Sequence, residues 1–299
     1  MPNPFQASGS WLRGNLHTHT TNSDGPLGPQ ETVDTYAALG YDFLALTDHD
    51  RFTVPDDLHQ HDLTLLPAVE LARAGDGPSV HVHVVALGIE EVPQTDAEAT
   101  WEAAIADYAA QAEVCFIAHP FWSLLEGSRL LSLEGVAGLE VYNRTCEGQS
   151  GRGTSESQWD ELLRQDRPCW GFAVDDCHQL LDHGYGWISV RSEERSVEAL
   201  LAAVECGSFY ASTGPELRDL RLTDDGVRVE SSPCVQAALL GARPGAGRTT
   251  WYREDLTRPF EEVTLPIPTR EAWLRVEVID ERGRKAWSNP FRLEELEAQ

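Results

Sequence analysis

The chain has 299 residues and is 41% hydrophobic, enough for one large domain or for one medium and one small domain with a sizeable core. A net charge of −26 with a single lysine, Lys285, would repel a long polyanion and argues against general nucleic-acid binding. No apolar run approaches the roughly 18 residues of a membrane span, and Met1 to Ser10 lacks a basic segment followed by an apolar one, so a cytoplasmic protein without a secretory signal is expected.

Residues 14–50 read as strand, loop, helix, strand. Gly14 to His19 ends in His17-Thr18-His19, and alternation along a strand puts both imidazoles on one side, where they can bind the same ion. Glu31 to Leu39 has helical spacing and stops at Gly40. Tyr41 to Thr47 is an apolar run suited to a buried parallel strand. The rhythm continues with strands at 63–70 and 80–89, a helix at 100–111, and strands at 114–119 and 136–142. A helix at 157–164, strands at 169–175 and 187–190, and a helix at 196–206 complete it. Alternation of this kind predicts an α/β barrel, in which chemistry gathers at the C-terminal ends of strands. His49, Glu70, His119, Glu140 and Asp176 each lie at or just past the end of an apolar run.

After Thr213-Gly214-Pro215 the segments shorten and alternate, as in 227–230, 262–267 and 273–279, with Gly/Pro loops such as 241–247 and a hairpin turn at 281–284. Residues 1–213 are therefore expected to form the α/β domain. Residues 214–299 are expected to form a small antiparallel β domain, read as a sandwich.

Nine side chains are candidate metal ligands: His17, His19, Asp24, His49, Glu70, His83, His119, Asp176 and His178. Zinc-like ions take about four to six ligands, so nine suit two or three ions sharing a bridging carboxylate. Ions about 3.5–4 Å apart can clamp the attacking and leaving oxygens of a phosphoryl transfer.

The pattern resembles the polymerase and histidinol phosphatase (PHP) superfamily over about residues 14–180. The matching stretches are 15–19, Ser23-Asp24-Gly25, 46–50, Val69-Glu70, 83–88, 117–120 and 174–178. The resemblance implies a distorted (β/α)7 TIM-like barrel with a trinuclear centre of zinc, manganese or iron. It implies His17, His19, Glu70 and Asp176 around one ion, Glu70, His83 and His119 around a second, and Asp24, His49 and His178 around a third. Glu70 would bridge, and Glu70, Asp176 and His178 would carry catalysis through a metal-bound hydroxide. Stretches 209–215, 276–280 and 286–290 are similar to a two-domain branch of predicted metal-dependent phosphoesterases.

Around this set, Asp48 and Glu140 are read as residues that orient ligands, with a cap or turn role equally open for Asp48. Asp175 is read as structural. His81, on the face of His83, is the alternative ligand there; His59 and His61 read as surface residues and His183 as a loop residue. With one lysine, arginine must hold any phosphate, and Arg144 and Arg152, in a glycine-rich loop after Glu140, are the candidates, with Arg51 weaker. Phe121 and Trp122 would either wall a pocket or pack in the core. The six cysteines, Cys115, Cys146, Cys169, Cys177, Cys206 and Cys234, contain no Cys-x-x-Cys pair and read as free thiols, with Cys177 in a packing role.

The expected function is hydrolysis of a small phosphate ester, a phosphomonoester or small nucleotide. The metals would lower the pKa of a bound water from about 15.7 to near 7 for in-line attack on phosphorus. Amidohydrolase-like C–N hydrolysis is the alternative for the same site, and a non-catalytic metal-bound scaffold using the β domain is a third.

Overall fold

Local signals place most elements. Gly28 and Pro29 open the first helix, where Glu31 Oε2 accepts the Gly28 N–H at 3.0 Å, and Gly40 follows it at φ 75°, a left-handed conformation that glycine adopts without cost. Thr100 and Ser196 cap later helices by accepting the N–H of Ala103 and Ala199.

The computed structural model describes residues 3–74, 81–96, 98–241, 249–253, 255–268 and 273–296. In chain order it contains β1 (Ser10–Asn15), α1 (Pro29–Ala38), β2 (Phe43–Ala45), β3 (Thr64–Leu66), β4 (Ala68–Ala74), β5 (His81–Leu87), α2 (Trp101–Gln111), β6 (Val114–Ile117), α3 (Gly127–Leu130), β7 (Gly138–Asn143), α4 (Arg144–Ser150), α5 (Glu156–Arg164), β8 (Trp170–Val174), β9 (Trp187–Ser192), α6 (Val197–Glu205) and β10 (Phe209–Ser212). Then come the strands β11 (Leu217–Thr223), β12 (Gly226–Cys234), β13 (Gln236–Gly241), β14 (Thr249–Tyr252), β15 (Phe260–Leu265), β16 (Leu274–Ile279) and β17 (Lys285–Ser288), followed by one 3-10 turn at Leu293–Glu295. The chain is thus mixed α/β in its first part and, among the described residues, β-rich in its last. The Gly/Pro loop expected at 241–247 lies almost wholly outside the described residues.

Two sheets form the wall around the strand ends. One runs β4-β5-β6-β7-β8; the other contains β10-β9-β1-β2-β3. They meet at a parallel bridge between His49 and Glu70, where Asp50 N–H donates to Glu70 O at 2.9 Å. The strand expected at 63–70 is in fact two strands, broken at Pro67. Proline has no N–H for a ladder, and there the chain leaves one sheet for the other.

The parallel rhythm is also interrupted. β1-β2-β3 and β6-β7-β8 are parallel, but β4-β5-β6 and β9-β1 are antiparallel. A parallel neighbour needs a crossover of a dozen or more residues. β4 and β5 are separated by only residues 75–80, and β5 and β6 sit side by side although α2 lies between them in sequence.

The largest core fills the space among these strands and α2, α5 and α6, with Trp159, Phe116 and Phe172 fully buried. Phe116 and Phe172 stack with ring centroids 4.2 Å apart. A second core joins Leu217, Leu220, Val227, Val229, Val263 and Leu265 of the three-stranded sheet β11-β12-β15 to Leu239, Val276, Val278 and Ala286. These last residues belong to β13, β16 and β17, which continue the nine-stranded sheet through the β10–β17 ladder. The composition change near residue 214 therefore does not interrupt the backbone hydrogen bonding. All six cysteines are free; Cys206 is exposed and the others are buried.

Candidate metal centre

Segments just past β1, β2, β6 and β8 and residues within β4 and β5 bring eight of the nine expected ligands together, and the loop after β1 adds Asp24. His17, His19, Glu70 and Asp176 form one group whose ligand atoms lie within 4.8 Å of one another. His49, Glu70 and His83 form a second such group, and His19, Asp24, His49 and His178 a third. His119 Nε2 lies 3.4 Å from Glu70 Oε1, and Glu70 is surrounded by five imidazoles in all. The grouping differs from the expected partition: His19 and His49 are each shared between two groups, and His49, not His119, joins Glu70 and His83, with His119 outside all three.

Burial grades the set. His17, His19 and Glu70 are fully buried and Asp176 nearly so, whereas the Asp24 side chain is 52% exposed and those of His49 and His178 about a quarter exposed. Two of the candidate ligands, His119 (φ 31°) and Asp176 (φ 52°), have left-handed backbones, which non-glycine residues keep only where surrounding structure holds them. Asp176 is held by its N–H, which donates to His17 O at 2.8 Å.

Electrostatics couple the group. Burial disfavours the charged imidazole of His17, but Asp176, Glu70 and Glu140 outweigh it and hold its pKa well above the ordinary value. The same balance against Asp176 and Glu70 pushes His19 up to about 9 and raises His119. Burial would raise Glu70 and Asp176, yet the neighbouring imidazoles hold both below the usual carboxylate range.

Glu70 Oε2, Asp176 Oδ1 and His49 Nδ1 are buried with no hydrogen-bond partner among the described residues. They approach their neighbours at 3.0–3.2 Å without hydrogen-bond geometry. Orphaned, converging lone pairs in an imidazole–carboxylate set are what a divalent ion such as zinc, manganese or iron would satisfy, so the residues present fit such ions.

Around the ligands, Glu140 Oε1 accepts His17 Nδ1–H at 2.6 Å, and Glu140 Oε2 accepts the His119 N–H at 2.7 Å. The first contact leaves His17 Nε2 facing the centre. Asp48 accepts from the N–H and Oγ of both Thr20 and Ser23, pinning the loop that carries Asp24. Asp175, fully buried, accepts the N–H groups of Gly184, Tyr185 and Gly186 and the Tyr36 hydroxyl, anchoring the loop after His178.

The cavity, about 230 Å3, is lined by Asp24, His49, Glu70, His83, His119, Asp176 and His178, by Trp122, and by Thr145, Cys146 and Gln149 of α4. Trp122 packs edge-on against His119 with ring centroids 4.9 Å apart, whereas Phe121 lines a separate hollow with Leu124 and Gln158. Arg144 and Arg152 are not among the lining residues; the Arg144 guanidinium lies over the Tyr185 ring at 4.2 Å, with Nε 3.7 Å from Asp182. His81 is exposed, beyond His83 on β5. His59 and His61 lie away from the centre, His61 Nε2 meeting Asp34 at 2.7 Å, and His183 sits against Tyr36. The segment after Glu140 expected as a glycine-rich loop is the short helix α4, whose polar Arg144–Ser150 carries no apolar stripe to mark a helix or its inward face.

The architecture and this centre together define a PHP-like fold. The structure is similar over 97% of this chain and 99% of the other to a two-domain protein from Bacteroides vulgatus, described as containing a predicted PHP-like metal-dependent phosphoesterase, with a TM-score of 0.53 and 16% identity. A lesion-specific endonuclease from Pyrococcus furiosus is matched over 66% of this chain and 56% of its own, with a TM-score of 0.43 and 13% identity. In sequence, a 5'-3' exoribonuclease from Haemophilus influenzae is 35% identical over 71 residues, 22% of this chain. The chain spans about a quarter of that relative, 26% of its length. No family model matches the chain.

Proposed function

We propose that the protein is a metal-dependent phosphoesterase acting on a small phosphate ester, a phosphomonoester or small nucleotide. The observation that carries this reading is the buried His17–His19–Glu70–Asp176 group, whose orphaned carboxylate oxygens face a cavity large enough for a phosphoryl group. The partition into three ion positions, with Glu70 bridging, is part of the proposal, as is a distorted seven-stranded barrel over 1–213 followed by a β-sandwich over 214–299.

Two or three divalent ions held there would supply a Lewis acid for phosphoryl oxygens and a water of lowered pKa. The protein's own groups do the rest. Glu70, Asp176 and His178 place negative charge and neutral imidazole where the ions bind. Glu140 fixes the His17 ring, and Asp48 holds the Asp24 loop. Trp122 and α4 limit what enters. Arg144 or Arg152 is assigned to the phosphate, and for Arg144 a phosphate would compete with Asp182 for the guanidinium. The net charge of −26 favours a small ester over a long nucleic acid.

The test is elemental analysis of the purified protein combined with phosphate and ammonia release over a panel of small phosphorylated metabolites, short oligonucleotides and amides. Bound divalent metal with phosphate release from small esters is expected. Ammonia release without phosphate, or turnover confined to oligonucleotides, would overturn the substrate assignment.

A further inference from the structure

Asn143 ends β7 and is fully buried, and its side chain uses every group it has. Nδ2 donates to Glu140 Oε2 at 2.8 Å and to Asp176 Oδ2 at 2.9 Å. Oδ1 accepts the Cys146 N–H at 2.9 Å and so caps α4. The amide orientation is fixed by these partners: flipped, it would set its oxygen against two carboxylate oxygens and leave the Cys146 N–H without an acceptor.

Three consequences meet at this residue. Tying Asp176 Oδ2 leaves Oδ1 as the oxygen turned to His17 and His19, at 3.2 and 3.0 Å. Bridging Glu140 and Asp176 with a neutral donor holds together two carboxylates that have no lysine or arginine between them. Capping α4 sets the wall that presents Thr145, Cys146 and Gln149 to the cavity.

We infer that Asn143 is a positioning residue that selects which Asp176 oxygen meets a metal ion and locks that choice to the placement of the α4 wall. The inference rests on the phosphoesterase reading for its turnover readout, but not for its binding readout. One amide links the ligand field to the cavity wall, so the two cannot relax independently.

The discriminating variant is Asn143→Ser. Serine is also a good N-cap, so α4 should keep its start, but its hydroxyl is too short to reach both carboxylates. The full chain, stripped of metal with chelator, is titrated with Mn2+ by calorimetry, alongside thermal melts and kinetics. The expected result is a modest fall in melting temperature from the lost buried hydrogen bonds, a loss of Mn2+ affinity of roughly 10–100-fold, and a fall in kcat larger than any change in KM. Asn143→Ala, which also loses the cap, should add a drop in melting temperature. Parent-like Mn2+ affinity and kcat in Asn143→Ser would overturn the positioning role. A parent protein that binds Mn2+ but hydrolyses no ester would overturn the phosphoesterase reading and leave the affinity comparison to decide Asn143. A parent that binds no divalent ion would overturn both.

Discussion

Among the described residues, two inward-facing groups of charged side chains are built on opposite principles. One joins α5 to the last strands. Glu156 accepts from Lys285 Nζ and Trp287 Nε1, both at 2.8 Å. Arg275, nearly fully buried, reaches Asp160 at 2.9 Å and lies over the Trp159 ring. Lys285 also meets Glu277 at 3.2 Å. The other group is the centre at the strand ends, where Glu70, Asp176 and Glu140 meet imidazoles and neutral donors but no lysine or arginine, and Glu70 Oε2 and Asp176 Oδ1 are left unbonded. The first brings its own cations and is a clasp. The second lacks permanent cations, and its balance must come from protons or from ions taken up from solution. A buried charge cluster points to function where it does not neutralise itself.

Changes that separate the two groups sharpen the contrast. Glu70→Ala removes the carboxylate that five imidazoles share. Divalent metal content and ester hydrolysis should be lost, the latter by on the order of 10³-fold or more, beyond the roughly 10–100-fold of an outer contact. Circular dichroism should stay near the parent, and full activity without metal would break the contrast. Arg275→Met takes the guanidinium from the half-buried Asp160 and the buried Glu277 and leaves an apolar side chain in its place. Denaturant unfolding should show a loss of about 3–5 kcal/mol, with metal content per folded molecule unchanged.

Acidity provides a third probe. In chelated protein, His17, His19 and His119 have raised pKa values, so their stabilising contribution is complete below the ordinary imidazole value of 6.5 and is lost as pH rises through the raised values, about 9 for His19. For His19 alone this is on the order of 3 kcal/mol at 1.36 kcal/mol per unit. Glu70 and Asp176 act in the opposite sense: their contribution is present above the ordinary carboxylate values and fades as pH falls below them. Melts of chelated protein should therefore decline between pH 6.5 and 9.5. Mn2+-loaded protein should decline less, because coordination needs the neutral ring. The smallest effect is expected from Lys285→Met. Lys285 and Glu156 are each about a quarter exposed, so roughly 1 kcal/mol of unfolding free energy is at stake. A loss as large as that of Arg275→Met would show that the lysine, and not the arginine, holds the clasp.

The residues that gather at the candidate centre were visible in the sequence because such positions leave a local mark: His-x-His, and a polar residue closing an apolar run. Glu140, which accepts from His17, stood out for the same reason. The sheet change at Pro67 and the antiparallel β4-β5-β6 were not, since an apolar run does not state its partner's direction. Asn143 carried no signal at all, because its partners Asp176 and Cys146 lie on different elements and its type is common in loops. The clasp was equally hidden, since Glu156 and Lys285 stand 129 positions apart. Long-range pairing of this kind is decided by packing.

The ladder through β10 bears on how this protein can be handled. β10 pairs with β9 on one side and β17 on the other, and the Trp287 indole sits in the larger core. A chain ended after residue 213 would turn that inner strand into a bare rim and leave a tryptophan-sized hole behind it. Unpaired rims recruit other strands, so such a fragment should come out of cells as aggregate, while the whole chain should melt in a single calorimetric step. Anyone wishing to graft this centre onto another scaffold would have to carry the last strands along with it.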